Sequence, residues 1–198
     1  VGGYLKAVIS IVRNSLGFSD DSDFCSAAKM NATLQRDQAI KLAKTDALKA
    51  LATANLVEDP WFRAQTLSWV ARFTDSAPEP IAAQAAEAAA ACDDDYKKAA
   101  VRAWEIAALA ERKCLAKAKN ALQEALAIAR RVQPSASRSE ALLILMQAAF
   151  TIDRDTAANV SVQLTQCCPI TDHWRCRRAA RRASQMLEGK LEPRKFFW

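Results

Sequence analysis

Helix-start chemistry returns along this chain every few dozen residues, and that recurrence limits what it can fold into. Asp59 precedes Pro60, pairing a capping carboxylate with a first helical residue that needs no N–H partner. Pro78 and Pro80 mark a further start, Asp93, Asp94 and Asp95 another, and Pro134 a fourth, where Ser137 and Glu140 have the spacing of a capping box. Pro169, Thr171 and Asp172 mark the last. The stretches between predict helices over 3–16, 22–56 with one break, 60–74, 79–92, 95–111, 114–132, 136–151, 154–167 and 171–188. Composition agrees: alanine supplies about a fifth of the 198 residues, glycine only 4, and the β-branched and aromatic types that favour strands are sparse.

Taking Asp59, Asp93, Pro134 and Thr171 as equivalent spaces the starts by 34, 41 and 37 residues, the period of helix-pair repeats whose units bury their apolar faces only against their neighbours. Four residues on stand Arg63, Lys97, Arg138 and Arg175; then Leu67, Val101, Leu142 and Ala179; then Val70, Trp104, Leu145 and Arg182. Arg182 breaks an apolar row, as a terminal helix facing water requires.

The segments DPWFRAQTLSWVA (59–71) and ALQEALAIARRVQPSASRSEALLILMQAA (121–149) resemble the degenerate repeats of α-solenoids in the tetratricopeptide and HEAT-like superfamily. The resemblance covers about residues 35–188 and implies a curved stack of antiparallel helices that binds proteins or peptides, sometimes nucleic acid. The expected fold is all-α: a right-handed α-solenoid of about three and a half antiparallel helix-pair repeats over 35–188, an N-terminal helical cap over 1–34, and a tail over 189–198, in one structural domain.

No stretch reaches the roughly 18–20 uncharged residues that span a bilayer, so no membrane partner is expected. The chain begins with Val, as an excised or processed piece would, and Val1 to Phe18 lacks a secretory cleavage pattern and is read as a packing helix. Six cysteines in a helical chain with an ample core do not read as a disulfide framework; Cys25, Cys92 and Cys114 fall in alanine-rich patterns, and a reducing, cytoplasmic setting is expected. With one His, no Walker or G-x-G-x-x-G loop and no H-E-x-x-H, no catalytic residue and no cofactor is predicted. Asp93, Asp94 and Asp95 are read as capping residues favoured by the helix dipole. Cys167, Cys168, His173 and Cys176 gather three thiols and the sole imidazole within ten residues, but their spacing matches no familiar zinc finger; helix-end thiols, a loop His and a buried Cys are expected in place of a metal site.

The candidate partner-binding residues fall into three groups. Arg63, Lys97, Arg138 and Arg175 sit in first helical turns, where the dipole disfavours cations; each is compensated by a local carboxylate or ring, or the four form a ladder for an acidic partner. Trp69 and Trp104 are either core or contacts on a concave face. Trp174, Arg175, Arg178 and Arg182 lie on a basic arc continued by Arg177 and Arg181, opposite Cys176, Ala179, Ala180, Ala183, Met186 and Leu187. On this arc Trp174 can stack on a base or guanidinium, or cover a loop or the tail. HWRCRRAARR (173–182) resembles the Trp-Arg-Arg stretches of HEAT-like DNA alkylation repair glycosylases, without a matching acidic residue.

Of the formal net charge of +6, most lies at one end: residues 171–198 hold eight Lys or Arg against three Asp or Glu. The aromatic terminus Phe196, Phe197 and Trp198 either folds back over helix surface or docks on another molecule. The expected function is a non-catalytic scaffold for a protein or peptide partner. The alternative is a nucleic-acid-binding, HEAT-like module of the DNA-repair-related kind that uses the basic C-terminal helix.

Overall fold

Four helices begin as their capping chemistry requires. Asp46, Asp59, Asp94 and Asp153 each accept a hydrogen bond from the backbone N–H three residues on: Lys49 at 3.0 Å, Phe62 at 3.0 Å, Lys97 at 2.7 Å and Thr156 at 2.6 Å. In a computed structural model that describes residues 32–168 and 173–198, the described helices are α1 (Ala32–Ala43), α2 (Ala47–Asn55), α3 (Pro60–Phe73), α4 (Glu79–Ala90), α5 (Asp95–Glu111), α6 (Leu115–Ala129), α7 (Ser135–Ala149), α8 (Arg154–Cys167) and α9 (Trp174–Leu187). The described residues contain no strand, so the chain is all-α as expected. The helix expected over 3–16 lies outside the described residues, and the break expected in 22–56 falls at Thr45–Asp46, between α1 and α2.

Three expected caps differ, at α5, α7 and α9, although α5 itself spans the expected residues. The cap of α5 is Asp94, not Asp93, so the residue four past each cap is Arg63, Lys98, Arg138 and, counted from His173, Arg177. At α7 the helix begins at Ser135 after Pro134, without a side-chain cap, so Ser137 and Glu140 form no capping box; Glu140 is engaged by arginines of α9 instead.

The odd helices pack in series, α1 on α3, α3 on α5, α5 on α7 and α7 on α9, while each even helix packs on the odd helices before and after it. No two even helices pack against one another to a comparable extent. That arrangement is compatible with a helical repeat, and alanine explains its tightness, because small side chains let helix backbones approach closely. The middle helix, α5, is enclosed by α3, α4, α6 and α7 and is buried without interruption from Ala99 to Ala110. Among the described residues no helix is long and apolar enough to cross a membrane.

Helix ends carry a second recurrent device. The chain tightens after α2, α4, α6 and α7, where Val57, Cys92, Val132 and Ile152 each donate to the carbonyl three residues back. At two of these ends the following helix returns an arginine six residues on: Arg63 Nε donates to the Val57 carbonyl at 2.6 Å and Arg138 Nε to that of Val132 at 2.9 Å.

Gly189 ends α9 in the left-handed region, with φ of 73°, while Lys190 N–H bonds the Gln185 carbonyl at 2.8 Å and Gly189 N–H that of Met186 at 3.1 Å. This closure is a Schellman turn. It turns the chain back along the row of odd helices, and residues 190–198 run over the molecule without regular structure.

Candidate functional site

The tail settles where the tryptophans of α3 and α5 lie. Phe196, 1% exposed, meets Trp104 edge-on with ring centroids 5.4 Å apart. Phe197 and Trp198 each meet Trp69 edge-on at 5.2 Å, and Phe197 also reaches Phe73 at 6.5 Å. The Arg194 guanidinium lies 4.9 Å from the centroid of Trp104, and burial lowers its affinity for a proton below the ordinary arginine value. At the far end the ammonium of Lys44, just past the end of α1, donates to the Trp198 main-chain oxygen and sits 5.5 Å over the Trp69 ring. One segment thus crosses α5 and α3 in that order and ends at the turn after α1, through aromatic, cation–π and main-chain contacts. Trp69 and Trp104, at 1% and 5% exposed, are sealed beneath it.

The first-turn cations all have local compensation. Arg63 and Arg138 donate to the helix-end carbonyls of Val57 and Val132, and Arg138 also donates Nη1 to the Cys167 carbonyl at 2.9 Å. Lys97 Nζ holds both oxygens of Asp93, at 2.8 and 3.0 Å, which keeps the Asp93 carboxyl below its ordinary value. Arg175 lies 3.7 Å from Glu140 and 5.5 Å from the Trp174 centroid.

On α9 the buried side comprises Cys176, Ala179, Ala183 and Met186, packed toward α7 and α8. On the opposite side Trp174 stays 49% exposed, with Arg178 at 4.9 Å from its ring centroid; Arg178 also pairs with Glu140 at 2.9 Å. Arg177, Arg181 and Arg182 are exposed and have no hydrogen-bond or ion-pair partner among the described residues. The tail does not cover Trp174; it covers Trp69 and Trp104.

His173 caps α9, its Nδ1 accepting from Arg175 N–H at 3.1 Å. Cys168 and Cys176 are buried, with Cys176 Sγ 4.0 Å from Ser135 Oγ. Residues 169–172 of that stretch lie outside the described residues, and among the described residues no three His, Cys, Asp or Glu groups converge as a metal site would require. Cys92, Cys114, Cys167 and Cys176 are free thiols. Cys92 closes the end of α4 and Cys114 precedes α6, so neither lies inside a helix. Burial, then the Asp59 and Asp93 carboxylates, push the Cys92 thiol up to about 11.

One pair escaped the sequence reading. Arg102 and Glu105, nearly buried on α5, are joined through Nε at 2.8 Å and Nη2 at 3.1 Å, and Arg102 Nη1 reaches Glu124 of α6 at 2.8 Å. Desolvation pushes the Glu105 carboxyl up, against the pull of Arg102. The pair floors a cleft of about 310 Å³ between α4 and α6, walled by Glu79 and Ala82 on one side and Lys117 and Glu124 on the other. The cleft exists because these two even helices do not close on each other. Its signal was present in the sequence: a cation and a carboxylate three residues apart, each flanked by apolar residues.

Comparison with protein-family models, with curated proteins and with solved structures gave no significant match, so the functional reading rests on these surfaces themselves.

Proposed function

We propose that the protein is a non-catalytic helical-repeat scaffold, a right-handed α-solenoid of about three and a half helix pairs, that binds an extended protein or peptide segment across α1, α3 and α5. The observation that carries this reading is the tail. Residues 194–198 lay a cation and three aromatic rings on Trp104, Trp69 and Phe73, so this face accepts an extended aromatic segment and here holds one supplied by the same chain. A partner carrying a similar segment competes with the tail, whose short tether gives it an effective concentration on the order of millimolar.

The test uses a peptide with the sequence of residues 192–198, titrated into the intact chain and into a Phe197→Ala, Trp198→Ala variant, in which the tail is loosened while the buried Phe196 stays. The peptide is expected to bind the variant at least about tenfold more tightly than the intact chain, with little response to salt. Flat titrations against both proteins would contradict the reading.

A second reading has its own observation. Trp174 stands half-exposed on the same helix as Arg177, Arg181 and Arg182, whose exposed side chains have no partner among the described residues, a combination suited to a nucleic-acid strand. On that reading affinity falls steeply with salt, by roughly 10³–10⁵ between 50 and 200 mM if 6–10 phosphates are engaged. Flat binding curves against DNA and RNA at low salt would dismiss it.

A further inference from the structure

The aromatic face continues beyond the tail toward the N-terminal turns of α3 and α5. There the rings of Trp61 and Tyr96 lie nearly parallel, 12° apart with centroids at 6.5 Å. Trp61 is braced edge-on at 6.1 Å by Trp104, which the tail locks in turn through Phe196 and Arg194. Trp61, Phe62 and Tyr96, with Asp59 and Lys97, line an open cavity of about 290 Å³. That volume is at the low end of ligand sites and suits a head group rather than a whole cofactor.

This molecule covers several rings with its own cations, Phe62 at the edge of the cavity among them. Arg36 lies 4.9 Å from the centroid of Phe62, Arg72 5.2 Å from that of Phe73, and Arg178 4.9 Å from that of Trp174. Among the described residues Trp61 and Tyr96 carry none, although both are only half-buried and face the cavity. The charges around them are mainly negative: Asp59, Asp93, Asp94 and Glu140 stand against Arg175 and Lys97, whose ammonium is drawn onto Asp93. The raised Cys92 thiol, with Asp59 and Asp93 among its causes, reflects the same field. Arg36, over the Phe62 ring, is paired with Asp37 at 2.7 Å.

We propose that Trp61 and Tyr96, together with the Asp59 carboxylate, form a binding site for an organic cation bearing a trimethylammonium group. The cavity selects a methylated cation over a hydrated one. A primary ammonium brings three donors, and the ring faces that make up most of this cavity offer them no lone pair; only the Asp59 carboxylate, whose Oδ1 also accepts from Phe62 N–H, is at hand to take a share of them. A trimethylammonium head needs no acceptors; it gains from the ring faces and the nearby carboxylate at little desolvation cost. The site is separate from the tail-bound surface, and the inference stands whether or not that surface takes a partner in trans.

The experiment titrates the full chain with choline by calorimetry and tryptophan fluorescence, beside ethanolamine and the uncharged carbon isostere 3,3-dimethylbutan-1-ol. Saturable choline binding is expected, with both comparison compounds weaker by about tenfold. Tyr96→Ala is expected to lose about tenfold and Tyr96→Phe to retain binding, because the ring face is the contact. Asp59→Asn, which preserves the helix cap, is expected to weaken binding several-fold and keeps the test valid if Tyr96→Ala does not fold. The proposal is overturned if choline shows no saturable binding, if the uncharged isostere binds equally well, or if affinity is unchanged in a folded Tyr96→Ala protein or in Asp59→Asn.

Discussion

Two tryptophan surfaces of this molecule use the same materials to opposite ends. On α3 and α5, Trp69 and Trp104 meet rings and a cation brought by the tail and are removed from water. On α9, Trp174 meets Arg175 and Arg178 from its own helix and stays half in solvent. What separates them is a segment of chain lying across the first and, among the described residues, none across the second. An aromatic-cationic pattern therefore specifies a sticky surface, and the route of the chain decides whether that surface is used internally.

The largest expected effect lies at the centre of the sealed surface. Phe196→Ala should destabilise the protein by about 3–5 kcal/mol, the usual cost of emptying a buried aromatic site, whereas Trp174→Ala should cost less than about 1 kcal/mol. Urea unfolding of both variants measures this, and equal losses would erase the distinction. Next come the cations. Arg138→Ala removes hydrogen bonds to the Val132 and Cys167 carbonyls and should cost about 1.5–3 kcal/mol; Arg182→Ala should stay within about 0.5 kcal/mol.

A smaller effect is expected at the turn that launches the tail. A methyl at Gly189 meets no atom within 4 Å, so Gly189→Ala suffers only the left-handed backbone cost of about 1–2 kcal/mol. A much larger loss by thermal melting would show that the turn does more than redirect the chain. The smallest effect is expected for Arg178→Glu with Arg182→Glu: partner binding through α9 changes while helical content by circular dichroism does not. A large drop in helicity would show that these arginines hold the fold together.

Much of the architecture could be read from local chemistry. Asp59 with Pro60 placed the start of α3, and α5 spans the residues expected of it. Where local signals were degenerate the reading slipped. Three successive aspartates offer the same cap, so Asp94 rather than Asp93 took the role, and the cation row moved by one residue at Lys97. Glu140 had the spacing of a capping box, yet a long-range pair with α9 claimed it. Arg102 and Glu105 were hidden because periodicity finds one apolar face, and it takes neighbours on all sides to bury α5 throughout. The tail's aromatic end announced a need for cover without saying which helices would provide it.

The account turns on where that tail lies, and nuclear Overhauser contacts in the intact chain test this most directly. The account predicts contacts from the Phe196 ring protons to the Trp104 indole and from Phe197 to Trp69. Random-coil shifts for residues 190–198 with no such contacts would contradict it.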